Sequence, residues 1–330
     1  MKADFYFHQG LAVNTHRTYN SAQRQYLEFC EKHGLQAIPG SENTLRLFSS
    51  YLADRIKPQS IKVYLAAIRA LHIQHGHQNP FTNTIKLQQT LRGIEREHIA
   101  PAKQKLPITF DILCKLHPLV DATLPDDITV WAAITSAHFL LLRASEFTVT
   151  DTPVPNSILC ISDAQVTSTT DGDEYLALTI KKSKTDFGKG VVLYTGHTKH
   201  PVCAVCAMAS NLKLQRLRPD YHTTSPLFQL SNGKPLSRRH LINFLSPLLR
   251  LVGLEPQEYS GHSFRIGGAT SASVAGLQDY EIQMIGRWSS DCFKRYIRSP
   301  LSVFLRVATQ IAETNTKPYQ YANPFLPTKY

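Results

Sequence analysis

His262 and Arg265 stand three positions apart in the stretch GHSFRIGGAT, residues 261–270. In a helix this spacing places both side chains on one face. The stretch also begins a predicted helix, where unpaired backbone N–H groups favour an anion. An imidazole beside a permanent cation suits proton transfer at an anionic group such as a phosphate. The alternative is structural, with His262 capping the helix and Arg265 solvated.

Two further cations stand where a fold could aim them at the same anion. Arg143 follows the apolar stretch SAHFLLL, at the end of a buried helix predicted over 126–146. A guanidinium there needs acceptors, and Glu146 supplies only part of them, although a purely structural Arg143–Glu146 pair is the alternative. Lys184 lies in IKKSKTDFGKG, at the predicted tip of a β-hairpin, where it either points into a cleft or serves solubility.

The stretch GRWSSDCFKRYIR, residues 286–298, contains a donor and a nucleophile. The Trp288 indole can donate a hydrogen bond and cannot accept one. Tyr296 follows eight residues later and is flanked by Lys294, Arg295 and Arg298. Taken singly, a Trp and a Tyr on a helix are typical of a core.

Together these residues are sufficient for phosphodiester chemistry. Attack on a phosphodiester gathers negative charge that fixed cations stabilise. A tyrosine becomes nucleophilic at neutral pH when a base or a cationic field helps it lose its proton, and a lysine can protonate the departing 5′ oxygen. No carboxylate cage for catalytic metals stands out, so we expect no cofactor. A weaker metal candidate is HTKHPVCAVC, which spaces four possible zinc ligands at intervals of three: His197, His200, Cys203 and Cys206.

Composition and charge indicate the partner. The 330 residues carry a formal charge of +11, which favours nucleic acid or an anionic membrane surface. Residues 1–104 and the remainder are each basic, as expected if both contact one long polyanion. We find no apolar run of spanning length and no signal-like start, so we expect no membrane association. Six cysteines without a disulfide pattern favour a reduced, intracellular protein.

Periodicity divides the chain into parts. Helical spacing fills the first hundred residues, and the proline-containing segment HIAPAKQKLPIT follows as a linker. Strand-like runs occur within 157–169, 174–185 and 190–196, and helices are predicted again at 202–215, 237–251, 262–275 and 278–286. The fold class is therefore mostly α with a small antiparallel β-sheet. The predicted boundaries are a helical DNA-binding domain at 1–97, a linker at 98–107, an α+β catalytic domain at 108–312 and a tail at 313–330.

The motifs resemble those of the tyrosine recombinases, or integrases, over nearly the whole chain. LLLRASEF is similar to the first arginine box of that family, KSKT to its hairpin lysine, HSFR to its His-x-x-Arg box, and GRW with RYI to its final donor and nucleophilic tyrosine. The N-terminal part resembles the family's SAM-like core-binding domain. HSFRIGGAT and GRWSSDCFKRYIR look most like the branch of eukaryotic mobile elements. One departure is the separation of eight between Trp288 and Tyr296, where many members have nine.

The resemblance implies roles for the candidates. Tyr296 would form a 3′-phosphotyrosyl link to DNA, while His262 would handle protons and Lys184 would act as general acid. Two arginines and a tryptophan would bind the phosphate: Arg143, Arg265 and Trp288. The working assembly would be a homotetramer on two DNA duplexes, with a helix within 299–313 donated to a neighbour.

The resemblance also implies integration or excision of a mobile element, without metal or ATP, and a nuclear location if the host is eukaryotic. Two alternatives stay open, a type IB topoisomerase and a domesticated, noncatalytic DNA-binding protein.

Overall fold

The chain divides into two compact units, Met1–Lys103 and Gln104–Tyr330. The computed structural model describes residues 2, 5–6, 10–98, 104–149, 158–181 and 190–298. Lys184, the tail and the helix predicted within 299–313 lie outside the described residues, as does half of the predicted linker, residues 99–103. In the described part of the chain, no helix combines the length and the apolar character needed to cross a membrane.

Residues 10–98 of the first unit form four helices, α1 Val13–Lys32, α2 Glu42–Ala53, α3 Pro58–Gln74 and α4 Ile85–Glu97. Helix α2 begins where expected, because the Ser41 hydroxyl accepts the Thr44 N–H at 3.0 Å. Helix α3 has proline at its first position, where the missing N–H costs nothing.

The apolar faces of these helices enclose one core. Its largest fully buried side chains include Tyr26 and Phe48, whose ring centroids are 5.1 Å apart. The Tyr26 hydroxyl donates to the Ala37 carbonyl at 2.9 Å, which satisfies the polar end of a buried ring. Lys62 and Arg69 are exposed on α3, where Lys62 pairs with Glu95 of α4 at 2.5 Å. The first unit is thus a helical bundle that carries basic side chains on its surface.

The second unit contains seven α-helices within its described residues and one sheet. The helices are α5 Phe110–Leu116, α6 Pro125–Phe139, α7 Ala144–Phe147, α8 Ala204–Arg216, α9 Arg238–Leu251, α10 Ser263–Val274 and α11 Asp279–Gly286. The strands are β1 Ala164–Ser168, β2 Glu174–Ile180 and β3 Val191–Gly196. The predicted fold class, mostly α with a small antiparallel sheet, is confirmed.

The sheet has the order β1–β2–β3 and is antiparallel throughout. In register, Ala164 lies opposite Leu178 and Tyr175 lies opposite Gly196. Alternate residues of β2 are buried, as the sequence pattern predicted. The first strand is shorter than predicted because Ile161–Asp163 forms a single 3-10 turn, in which the Asp163 carboxylate accepts the Cys160 N–H at 2.7 Å.

The helix predicted over 126–146 ends instead at Phe139. Leu141 takes the left-handed conformation, with φ of 48°, and the Leu142 N–H bonds back to the Ala137 carbonyl at 3.0 Å. This geometry closes a helix and is usually adopted by glycine, so apolar periodicity alone did not predict it. The chain restarts as α7, and Arg143 therefore precedes a short helix instead of ending a long one.

Two glycines of the GHSFRIGGAT stretch allow helix α10 to lie directly against neighbouring backbone. A Cβ at Gly267 would overlap the carbonyl of Ile108, and one at Gly268 would overlap the carbonyl of His138. The Ile108 N–H also donates to the Ser263 carbonyl at 2.9 Å. Close backbone approach thus fixes α10 against the end of α6.

The buried histidine His138 makes the second unit sensitive to acid. Its ring is 2% exposed, its Nδ1 lies 3.1 Å from the Ile108 carbonyl oxygen, and burial lowers its pKa from 6.5 to about 4. Between those pH values the His138 ring is therefore protonated in the unfolded chain and neutral in the folded chain. Proton binding by the unfolded chain lowers the free energy of unfolding by on the order of 3 kcal/mol as pH falls from 6.5 to 4.

We expect His138→Asn, which retains a donor near Nδ1 but does not titrate, to flatten the fall in unfolding free energy between pH 6.5 and 4. Tryptophan fluorescence during urea unfolding reports this unit, since both tryptophans, Trp131 and Trp288, belong to it. His222→Asn removes an exposed histidine and serves as the control. An unchanged slope in the His138 variant would contradict the assignment.

Candidate active site

The Arg265 guanidinium occupies the interior of the second unit. The side chain is fully buried on α10, and it donates through Nη1 to the Leu141 carbonyl and through Nη2 to the Gly286 carbonyl, the latter at 2.5 Å. These carbonyls end α6 and α11, where helix dipoles favour a cation. Burial, and then the charges of Arg143 and Arg287, lower the pKa of Arg265 to about 10, so it stays charged at neutral pH.

Aromatic rings cover this guanidinium. Its central carbon lies 4.1 Å from the centroid of the Trp288 ring and 5.7 Å from that of Tyr296, within the range of cation–π attraction. The Tyr296 ring lies 5.1 Å from the Trp288 ring and 5.1 Å from the His262 ring, measured between centroids. The candidate nucleophile, proton carrier and cation from the sequence therefore form one cluster.

Backbone contacts hold Tyr296 at this place. Tyr296 follows a 3-10 turn at Asp291–Arg295, and its N–H donates to the Phe293 carbonyl at 2.8 Å. The Thr270 hydroxyl, on α10, donates to the Tyr296 carbonyl at 3.2 Å and accepts the Arg298 N–H at 3.1 Å. The nucleophile candidate is thereby attached to the same helix that carries Arg265.

His262 precedes α10 and is half-buried beside several cations. Burial, followed by the positive charges of Arg265, Arg143 and Arg238, lowers the pKa of His262 below 6.5. The ring is therefore neutral at pH 7 and can accept a proton. Arg238, the first residue of α9, was not among the residues singled out from the sequence.

Arg143 shares a buried carboxylate with a second arginine. Its Nη1 lies 2.9 Å from Glu146 Oε1, and Nη2 of Arg287 lies 3.0 Å from Glu146 Oε2. Burial alone raises the pKa of Glu146, but the Arg287 and Arg143 guanidiniums outweigh it and hold that pKa below its ordinary value. The structural Arg143–Glu146 pair considered from sequence is present, and it lies inside the cluster.

The structure describes five of the six candidate catalytic residues. Five of the six lie in or act electrostatically on one region of the second unit: Arg143, His262, Arg265, Trp288 and Tyr296. The sixth, Lys184, lies outside the described residues. The Glu146 carboxylate neutralises only part of the charge of four arginines of the region, so a positive charge remains that suits the region to an anion.

Comparisons with known proteins show which fold carries this cluster. No model of a known protein family matches the chain. An integrase/recombinase XerD homolog from Selenomonas ruminantium is 24% identical over 304 residues, covering 90% of this chain and 85% of the relative. The XerH site-specific recombinase bound to palindromic difH matches with a TM-score of 0.63 and 16% identity, over 91% of this chain and 80% of XerH. The Tn1549 transposon integrase with transposon right-end DNA matches with a TM-score of 0.57 and 16% identity, over 94% and 98% of the two chains.

The chain has the fold of the tyrosine recombinases.

Arg287 is a further residue of the cluster that was not among those singled out from the sequence. It takes the left-handed conformation, with φ of 56°, at the end of α11. A non-glycine residue there costs on the order of 1 kcal/mol, and its guanidinium reaches Glu146. No local sequence signal singles Arg287 out, because its contact with Glu146 depends on tertiary packing.

We expect Glu146→Gln to destabilise the second unit by about 3 kcal/mol, because it leaves two largely buried guanidiniums without their carboxylate. Asp291→Asn is the matched control, since Asp291 pairs with Lys294 at 3.0 Å on the surface, where a pair contributes less than about 1 kcal/mol. Urea unfolding followed by tryptophan fluorescence measures both. Equal losses in the two variants would show that the buried pair does not hold the cluster.

Proposed function

We propose that this protein is a site-specific DNA recombinase that cleaves and rejoins DNA through a 3′-phosphotyrosyl intermediate. The observation that carries the proposal is the convergence of arginines from separate segments on the rings of Tyr296 and His262. Fixed guanidiniums match the charge that develops on a phosphodiester under attack. The relatives and structural neighbours named above, described as recombinases and integrases, support the same reaction.

In this proposal the Tyr296 phenol loses its proton to neutral His262 and its oxygen attacks the scissile phosphorus. The bond from phosphorus to the 5′ oxygen breaks, and Lys184 supplies the proton that the departing oxygen takes up. Arg143 and Arg265 bind the nonbridging oxygens, and Trp288 donates a further hydrogen bond. The new phosphotyrosyl bond keeps the energy of the broken one, so rejoining to another strand requires neither ATP nor a metal.

Access to Arg265 requires a movement of the rings above it. Arg265 has no exposed surface, whereas the Arg143 side chain is 19% exposed. A phosphate therefore meets Arg143 first and reaches Arg265 when the Trp288 and Tyr296 rings shift. Among the described residues, Arg265 Nε has no hydrogen-bond partner, so it is one donor that a phosphate oxygen could use.

The protein would act as an oligomer on DNA. The basic helices of the first unit would bind the DNA backbone, and four protomers would act on two duplexes. The motifs that resemble those of eukaryotic mobile elements favour integration or excision of such an element, and a nuclear location in a eukaryotic host.

We expect Tyr296→Phe to abolish covalent attachment to DNA and to leave DNA affinity nearly unchanged, because the variant lacks only the attacking oxygen. A library of nicked duplexes, trapped in detergent and sequenced at the linked ends, measures attachment and also reports the target site. Tyr280→Phe is the control, since Tyr280 is 67% exposed. Attachment by the Tyr296 variant would refute the nucleophile, and no attachment by the unaltered protein on any duplex would favour a noncatalytic DNA-binding protein.

The pH dependence tests the proton acceptor. Because the pKa of His262 lies below 6.5, the rate of covalent attachment should be flat near pH 7 and fall as pH drops through that lowered pKa. His262→Gln should slow attachment by roughly 10²- to 10⁴-fold and remove this acid limb. Single-turnover rates measure both, with circular dichroism at each pH to confirm folding. An acid limb that persists unchanged in the variant would assign it to another group.

A further inference from the structure

Three metal-binding side chains meet where β3 leads into α8. His197 follows β3, Cys203 precedes α8, and Cys206 lies in the first turn of α8. One ligand atom from each lies within 4.8 Å of the other two. The closest pair is His197 Nε2 and Cys206 Sγ, 3.1 Å apart. None of these three residues takes part in the proposed strand cleavage.

His200, the fourth candidate ligand from the sequence, is not part of this cluster. Its Nδ1 accepts the Val202 N–H at 3.0 Å, and its ring packs 5.1 Å from that of Phe110. It therefore stabilises the loop and is available as an internal control.

The loop before α8 also orients the buried sulfur toward the cluster. The Thr198 N–H donates to Cys203 Sγ at 3.5 Å, and Cys203 is buried while Cys206 is exposed. Two cysteine sulfurs beside an imidazole are a ligand set that a divalent cation completes by displacing protons.

We propose that His197, Cys203 and Cys206 bind one Zn²⁺ ion, with water in the fourth position. Zinc binds a thiolate sulfur at about 2.3 Å and an imidazole nitrogen at about 2.0 Å. In a tetrahedral site these bond lengths place the ligand atoms under about 4 Å from one another. Small side-chain rotations would bring the three residues to that separation. Sulfur and nitrogen ligands favour zinc over magnesium or calcium.

Protons leave as the metal binds. The Lys199 N–H donates to His197 Nδ1 at 3.0 Å, so the imidazole proton lies on Nε2. Coordination through Nε2 moves that proton to Nδ1. The Lys199 N–H, which lies in an exposed turn, then donates its hydrogen bond to water instead of Nδ1. Each cysteine that carries a proton releases it to solvent when its sulfur binds the metal, so binding strengthens as pH rises.

The site serves structure and not phosphoryl transfer. In the β2–β3 ladder it adjoins the end where Tyr175 lies opposite Gly196, and the segment containing Lys184 follows the other end, where Ile180 lies opposite Val191. Five steps of about 3.3 Å separate those ends along β3. Zinc would fasten the sheet to the first turn of α8.

The experiment uses the full chain, purified under reducing conditions. Elemental analysis and titration with Zn²⁺ against a chromophoric chelator give stoichiometry and affinity, and Co²⁺ substitution gives a sulfur-to-metal absorption band. We expect one ion per chain and a higher melting temperature with Zn²⁺. Cys206→Ser and Cys203→Ser should each weaken binding more than roughly 100-fold, since even outer-shell losses cost about 10- to 100-fold.

His200→Gln and Cys292→Ser are the matched controls and should bind zinc as the unaltered chain does. Circular dichroism separates lost binding from lost folding, and Cys206→Ser, at an exposed position, is the safer variant. Three results would overturn the site: no binding of Zn²⁺ or Co²⁺, equal binding by the serine variants, or a Cys203–Cys206 disulfide in place of the metal. Chelation that lowers the melting temperature while covalent DNA attachment persists would support a structural ion without bearing on the nucleophile.

Discussion

A guanidinium buried between two helix ends organises the second unit. Arg265 can lie in the interior because the carbonyls of Leu141 and Gly286 accept its hydrogen bonds, and a buried cation without such acceptors would be costly. Both helices end in left-handed residues, Leu141 and Arg287. The close approach of α10, allowed by Gly267 and Gly268, brings Arg265 within reach of both ends. Arg143 and Trp288 follow directly after those ends and are positioned by them.

The Glu146 carboxylate explains how several cations coexist there. It pairs with Arg143 and Arg287, and the carbonyl oxygens of Leu141 and Gly286 offset part of the remaining positive charge. The balance stays positive, and burial together with this positive charge lowers the pKa of His262 and keeps its ring neutral. A region that stabilises itself with one carboxylate and several dipoles retains capacity for an added anion. Structure and proposed chemistry therefore depend on the same charges.

Much of the fold was predictable because its signals are local. Helical spacing indicated a helical first hundred residues, and the helices of the second half begin and end within two residues of their predicted bounds. The end of α6 was missed because Leu141 takes a conformation that its residue type does not announce. Lys184 and Tyr296 were chosen from motifs, whereas Arg238 and Arg287 were missed because their approach to His262 and Glu146 depends on tertiary packing.

The aromatic rings over Arg265 have a consequence for the protein before it binds its target DNA. Because the Arg265 side chain has no accessible surface, it cannot bind a passing polyanion. Its charge becomes available to the reaction only when the rings over it move aside. If Tyr296 is the nucleophile, the movement of its ring toward a strand, together with a shift of the Trp288 ring, uncovers the cation that supports the attack. Cleavage of other DNA would then be limited by the packing of these two rings, without a separate inhibitor.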